Sequence, residues 1–178
     1  MAILNHLVLL DSFTDDVMKD NVEKLECFNL YHCLRKSSTT SFEMYRKKWG
    51  ALPEKFYQWL KVCDGGLLFD TVMLSINGYD RELELNFETF DEYNADSAKE
   101  EIRLPSEYFV FSIRSYGDPI CFNSLTNDGK VYLWNMEESI FEEVWDSFEV
   151  WLSYEIDSAI ELVEEGVLDP LAIKLGDE

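Results

Sequence analysis

Histidine is nearly absent from this sequence. Only His6 and His32 occur among 178 residues, and neither adjoins a serine or cysteine in a nucleophile motif. C-x-x-C pairs are missing as well: the four cysteines are Cys27, Cys33, Cys63 and Cys121. Cys27, His32 and Cys33 lie close together, but on a segment that otherwise reads as helix, and no second ligand pair follows at zinc-site spacing. The expectation is no metal site, with the thiols reduced and buried. Phosphate-cradling glycine loops are also lacking, because Gly65-Gly66 has neither the lysine nor the spacing of one. With 36 acidic residues a carboxylate pair could be invoked anywhere, so it points to nothing. No catalytic set emerges, no cofactor is implied, and the chain does not read as an enzyme.

Long apolar runs are missing too. The longest, Ala2 to Leu10, is interrupted by Asn5 and His6 and falls far short of the roughly 20 residues a membrane span needs. No lysine or arginine precedes it, as one would in a secretory signal. The expectation is a cytoplasmic protein with no membrane partner.

Basic residues are scarce, 15 against 36 acids, for a net charge of −21. The imbalance grows along the chain. Residues 1–60 carry eight acids and eight bases, residues 61–134 carry 14 and six, and residues 135–178 carry 14 acids against Lys174 alone. Such a field repels nucleic acid and anionic membrane and attracts a basic partner. Solubility alone is the plainer use of the same charge.

What is present is core-forming material: 47% of residues are apolar and 15% aromatic, in a chain of ordinary domain length. From Tyr108 to Trp134 three runs rich in aromatic and β-branched residues are separated by Tyr116-Gly117-Asp118-Pro119 and Asn127-Asp128-Gly129. These clusters reverse a chain, and glycine tolerates the positive φ such turns require. The pattern predicts an antiparallel meander over 108–114, 119–124 and 130–134. Leu67 to Ile76 reads as a further strand. Arg81 to Phe87 alternates Leu83, Leu85 and Phe87 with Glu82, Glu84 and Asn86, which gives one buried and one acidic face. Ile140 to Trp145 adds one more strand.

Helices flank the strands. Val17, Met18, Val22, Leu25 and Phe28 recur at helical spacing over 15–29, with Asp15 and Asp16 in the first turn. Thr40 stands three residues before Glu43, a capping box opening a short helix through Trp49. Pro53 suits a first helical position ahead of Phe56, Trp59, Leu60 and Cys63, so 53–63 reads as helix. Glu88 to Lys99 reads as a short helix plus loop. Asp146 with Glu149 forms a second capping box, Trp145 with Val150 a hydrophobic staple, and Phe148, Trp151, Leu152, Ile156, Ala159, Ile160 and Val163 line one face of a helix over 147–165. Glu164 and Glu165 sit in its last turn, where the helix dipole disfavours anions by about 0.3–1 kcal/mol each. Glu161 and Glu165 repel at i,i+4. The fold class that follows is α+β: a mostly antiparallel, twisted sheet of about five or six strands, covered by N-terminal and C-terminal helices in one domain over 1–178.

Four landmarks in order carry a resemblance: Leu52-Pro53 with Phe56 to Leu60 and then Gly65-Gly66; Tyr116-Gly117-Asp118 followed by Phe122; Gly129-Lys130-Val131-Tyr132-Leu133-Trp134; and Asp146-Ser147-Phe148 with Trp151-Leu152. Over residues 40–155 the chain resembles the SUKH superfamily, which includes fungal cell-wall-assembly regulators and bacterial toxin-immunity proteins. The resemblance implies an α+β fold with an antiparallel sheet between helices, in agreement with the reading above. It implies binding rather than catalysis, with a toxin as the partner. Two departures stand out. Cys63-Asp64 occupies the place where asparagine commonly precedes the paired glycines, and residues 1–39, an N-terminal helical extension, match no landmark. Nuclease toxins tend to be basic because they grip phosphate, which suits an acidic protein partner and no nucleic acid.

The residues singled out for partner contact are Glu82, Glu84, Glu88, Asp91 and Glu92 on one acidic face, with Asp118 beside Gly117. A solvated face and a turn cap are the plainer roles for these. Tyr116, Trp134 and Trp151 are aromatic enough to anchor an interface, but their positions predict core faces. Two further classes remain, a regulatory scaffold with several weak partners and a defence protein that mimics nucleic-acid charge.

Overall fold

The meander forms the middle of the molecule. In the computed structural model, which describes residues 15–28, 31–32, 39–49, 52–80, 85–86, 88–126 and 128–167, it appears as β6 (Tyr108–Arg114), β7 (Pro119–Asn123) and β8 (Val131–Asn135). Preceding it are α1 (Asp16–Phe28), β1 (Tyr31–His32), α2 (Thr39–Lys48), α3 (Glu54–Val62), β2 (Gly66–Leu68), β3 (Thr71–Met73), β4 (Tyr79–Asp80), β5 (Leu85–Asn86), α4 (Phe90–Tyr93) and α5 (Asp96–Glu101). After it come β9 (Ile140–Trp145) and α6 (Phe148–Glu164). The large sheet has the order β1-β2-β3-β6-β7-β8-β9, and every pairing in it is antiparallel. The fold is α+β, a sheet with helices from both ends of the chain against it.

One face of the sheet packs on α3 and α6 through rings. Phe111 stacks on Phe122 at 4.3 Å, and Phe56 of α3 lies 5.2 Å from Phe111 and 5.1 Å from Phe122. From α6, Trp151 meets Phe111 edge-on at 5.0 Å, and Phe148 sits 5.5 Å from Phe56. Phe148, Trp151, Leu152, Ile156 and Ala159 are all buried, as their helical spacing predicts. Helix α1 joins the same core. Met18, Val22 and Leu25 are buried, Ser153 donates to Asn21 Oδ1 at 3.0 Å, and Lys24 pairs with Asp157 at 2.9 Å. Helix α1 thus docks on the C-terminal helix.

The segment between β5 and β6 packs back onto the sheet. Beyond Leu74, whose N–H donates to Phe111 O at 3.1 Å, the chain no longer pairs with β6, which leaves part of the β6 edge open. Buried Asn94 fills it: its Oδ1 accepts from Val110 N and its Nδ2 donates to Val110 O, both at 2.8 Å. Lys99 donates to Ser106 O at 2.9 Å and Trp134 Nε1 to Ile102 O at 3.0 Å. Buried polar groups here are satisfied, as they must be where water is excluded.

Several expectations are corrected. Residues 67–76 are not one strand but the hairpin of β2 and β3, reversed at Phe69, whose φ is 57°. Ser115 N donates to Asp70 O at 2.7 Å and fixes that turn from the neighbouring hairpin, a tertiary contact that the apolar run cannot display. Leu85–Asn86 pairs with Tyr79–Asp80 outside the large sheet; residues 81–84 and 87 lie outside the described residues. Pro53 is the residue before α3 rather than its first. Ser147, not Asp146, caps α6, its hydroxyl accepting from Val150 N at 3.3 Å. The expected staple is absent because Val150 is exposed and Trp145 packs instead on Tyr154, at 5.5 Å. His32 stands on a strand, not a helix. Cys63 and Cys121 are buried free thiols, whereas Cys33 and the side chains of Cys27 and Thr40 lie outside the described residues.

One ion pair ties α6 to the sheet. Arg114 donates to the buried Glu155 Oε2 at 2.5 Å and reaches Asp70 at 3.4 Å. Burial pushes the Glu155 carboxyl up to about 7, against the pull of Arg114.

This packing generates two predictions. Trp151→Ala removes a fully buried ring from the sheet–helix contact and should cost about 3–5 kcal/mol, read as a marked fall in Tm; an unchanged Tm would place the ring elsewhere. For Glu155, the unfolded carboxyl releases its proton near the ordinary 4.5 while the folded one holds it to about 7. The folded state therefore binds more protons in that window, and stability falls as pH rises through it. The Tm advantage of Glu155→Gln over the parent should grow between about pH 5 and about pH 8. A shrinking advantage would mean that Arg114 dominates over burial.

Candidate functional site

The acidic segment at 88–92 is held by backbone before its side chains come into play. Ser75 N donates to Glu88 O at 2.8 Å and Phe90 N to Ser75 O at 3.0 Å, so the segment pairs with the stretch after β3. Ser75 is placed in turn by its neighbours. A Cβ on Gly65, whose φ is +80°, would stand 2.6 Å from Ser75 Cβ, so only glycine allows this approach. Asp64, fully buried, accepts from Ile76 N at 2.6 Å and from Asn77 Nδ2 at 2.9 Å. A carboxylate where asparagine was expected thus fixes the loop that carries the acidic segment.

From this frame Glu88, Asp91 and Glu92 reach the surface, all exposed. Their charges are not equally available. Burial would raise the Asp91 carboxyl, but hydrogen bonds from Lys48 at 2.6 Å and Tyr45 at 2.8 Å outweigh it and hold it below its usual range. Glu92 closes a capping box with Thr89, accepting from Thr89 Oγ1 at 2.7 Å and Thr89 N at 2.9 Å, and these bonds lower its pKa. Burial and the nearby Glu88 push the Tyr93 hydroxyl up to about 12. Glu82 and Glu84 lie outside the described residues.

Asp118 does not join this group. Phe109, which touches α4 through Phe90 at 5.5 Å, is five residues from Arg114 at the other end of β6, roughly 17 Å at strand rise. Asp118 sits at that far end, buried, with its Oδ1 accepting from Met136 N at 3.0 Å. Its carboxylate links the β6–β7 and β8–β9 turns. Tyr116 departs from its expected core face: it stands on the turn, 64% exposed. Trp134 and Trp151 are buried. Among the other landmarks, Leu52 is buried, Gly66 begins β2, Gly117 lies in the turn before β7, and Gly129 takes a φ of 75° just before β8.

A second acidic surface was not singled out from the sequence. The outermost strand β9 carries Glu142 and Glu143, both exposed, between Glu137-Glu138 and Asp146, also exposed. Ile140 and Val144 are exposed on the same strand at 47% and 51%. The available signal was five acids within 137–146. It was hidden because a strand at the end of a sheet cannot be told from an inner one by its own residues. Among the described residues, no group of three His, Cys, Asp or Glu side chains stands close enough to hold a metal, and no helix is long and apolar enough to cross a membrane.

No curated protein matches the chain. The family model described as SMI1 / KNR4 family (SUKH-1) matches residues 38–154, from just before α2 to the middle of α6. The matched span holds every strand except β1, the Gly65-Gly66 corner, both turns of the meander and the Ser147 cap, and leaves α1 outside. On that match over well over half of its length, the chain belongs to the SMI1/KNR4 family, SUKH-1.

Proposed function

We propose that this chain is a non-catalytic immunity protein of the cytoplasm that binds and neutralises a cognate bacterial toxin, a basic domain of the nuclease type. The observation that carries the reading is membership of SUKH-1 in a chain of net charge −21. A toxin that grips phosphate presents cationic side chains, and an acidic protein is complementary to them. Glu88 and Glu92 supply exposed acids on a segment held by backbone pairing to Ser75, and Glu82 and Glu84 add to the acidity of the sequence just before them. Asp91 contributes less, since Lys48 already lies against it. Asp118 is better understood as a turn link than as a contact. Charge of this kind acts chiefly on the rate of encounter.

The test uses the C-terminal domain of the product of the adjacent gene, as the candidate toxin domain. Converting Glu82, Glu84, Glu88, Asp91 and Glu92 to their amides should slow association and weaken protection of cells. Raising salt from about 0.1 M to about 1 M, which shortens the Debye length from about 10 Å to about 3 Å, should slow it likewise. Tm should change little. Glu92→Gln keeps a side-chain oxygen to complete the cap of α4, and an exposed Lys48–Asp91 pair is worth less than about 1 kcal/mol. A tight complex whose association ignores both salt and these changes would refute the acidic-face mechanism. Absence of any complex, with several weak partners instead, would favour the scaffold.

A further inference from the structure

We infer that the outer edge of β9 is a docking site for an extended, basic segment of a protein partner, which adds to the sheet as a further strand. The inference rests on the protein-binding reading above and names a surface and a mode of binding that reading does not contain.

In the sheet order β9 is terminal, and among the described residues no strand pairs with its outer side. On either side of Glu142, where the register with β8 shifts by one residue, every second residue of such an edge turns its N–H and C=O outward, a ready template for another chain. At six residues β9 is long for an edge, in contrast to the two-residue β1 at the opposite end. The contrast with β6 is sharper still. There the open stretch is closed by the Asn94 side chain on Val110, whereas β9 has no equivalent cover among the described residues.

The side chains around the edge select the occupant. Ile140 and Val144 on the strand, and Val150 and Tyr154 one turn apart on α6, are exposed apolar groups. The Trp145 ring, 5.5 Å from that of Tyr154, joins strand to helix at this surface. Around them stand Glu137, Glu138, Glu142, Glu143 and Asp146, with Lys130 the neighbouring cation, 3.7 Å from Asp146. A second copy of this chain would bring the same acids opposite themselves, and like charges across a strand pair are destabilising. The acids that block self-pairing at this edge favour lysine or arginine alternating with apolar residues. Strand addition then supplies main-chain hydrogen bonds, and the alternate side chains supply selectivity.

The test uses the full chain and a short, end-blocked peptide alternating lysine and valine, with a lysine–proline peptide of equal charge as control. Amide hydrogen exchange and chemical shifts should show the lysine–valine peptide protecting alternate amides within 140–145. The proline peptide, which lacks half the N–H donors, should give no such protection. Glu142→Lys with Glu143→Lys, both on exposed positions, should weaken binding about tenfold with little change in Tm. Equal binding of the two peptides, or shifts confined to residues 88–92, would overturn the inference. So would protection of 140–145 without peptide in a sample that sediments as a dimer. The two readings separate cleanly. If the toxin domain binds but protects only residues outside β9, the edge is refuted and immunity stands; if the peptide adds to β9 and the toxin does not bind, the edge stands and immunity falls.

Discussion

The contact on which this structure depends is the ring packing between the meander and α6. Phe111 and Phe122 stack face to face on adjacent strands, and Trp151 and Phe148 close over them from the helix while Phe56 enters from α3. Neither partner is stable alone. A meander needs cover on its apolar face, and isolated helices of this length are marginal in water. Because the shared layer is aromatic, ionisable groups have almost no place in it, and those buried nearby are tied to specific partners: Asp64 to Ile76 and Asn77, Asp118 to Met136, Glu155 to Arg114. The rest of the described acids are left at or near the surface, so the core itself sorts the charge outward.

That sorting separates two tasks. The interior holds a rigid frame, and the Gly65–Ser75 approach with Asp64 behind it carries the frame out to the acidic segment at 88–92. The exterior can then change its charge pattern at low cost, since exposed ion pairs contribute little to stability. Glu164 and Glu165 at the C-terminal end of α6, where no base stands in the last turn, fit the same division. A small local penalty against the helix dipole is tolerated because the buried stripe of α6 supplies its stability.

Much of the frame was legible because it is written in local patterns. The meander strands, the buried stripe of α6 and the positive φ of Gly129 follow from alternation, helical period and turn chemistry. What was not legible depends on other parts of the chain. The reversal at Phe69 is fixed by Ser115 from another hairpin, and the pairing of Leu85–Asn86 with Tyr79–Asp80 depends on where the sheet ends. Serine at 147 outcompetes the neighbouring aspartate as a cap by one residue of register. At the candidate site, acidity could be read but availability could not. That Asp91 is held by Lys48 and Tyr45, that Asp118 is buried and that β9 is the last strand of the sheet among the described residues are facts of three dimensions.

Under the proposed function this chain acts by occupying a partner and not by transforming it. The most direct measurement is a titration of the toxin domain's own activity with the purified chain. Loss of activity should be linear and complete at one chain per toxin, and full activity should return when the complex is dissociated and the two proteins are separated. Silencing by far less than one equivalent, or a toxin left chemically altered after separation, would contradict occupancy and make the chain an enzyme.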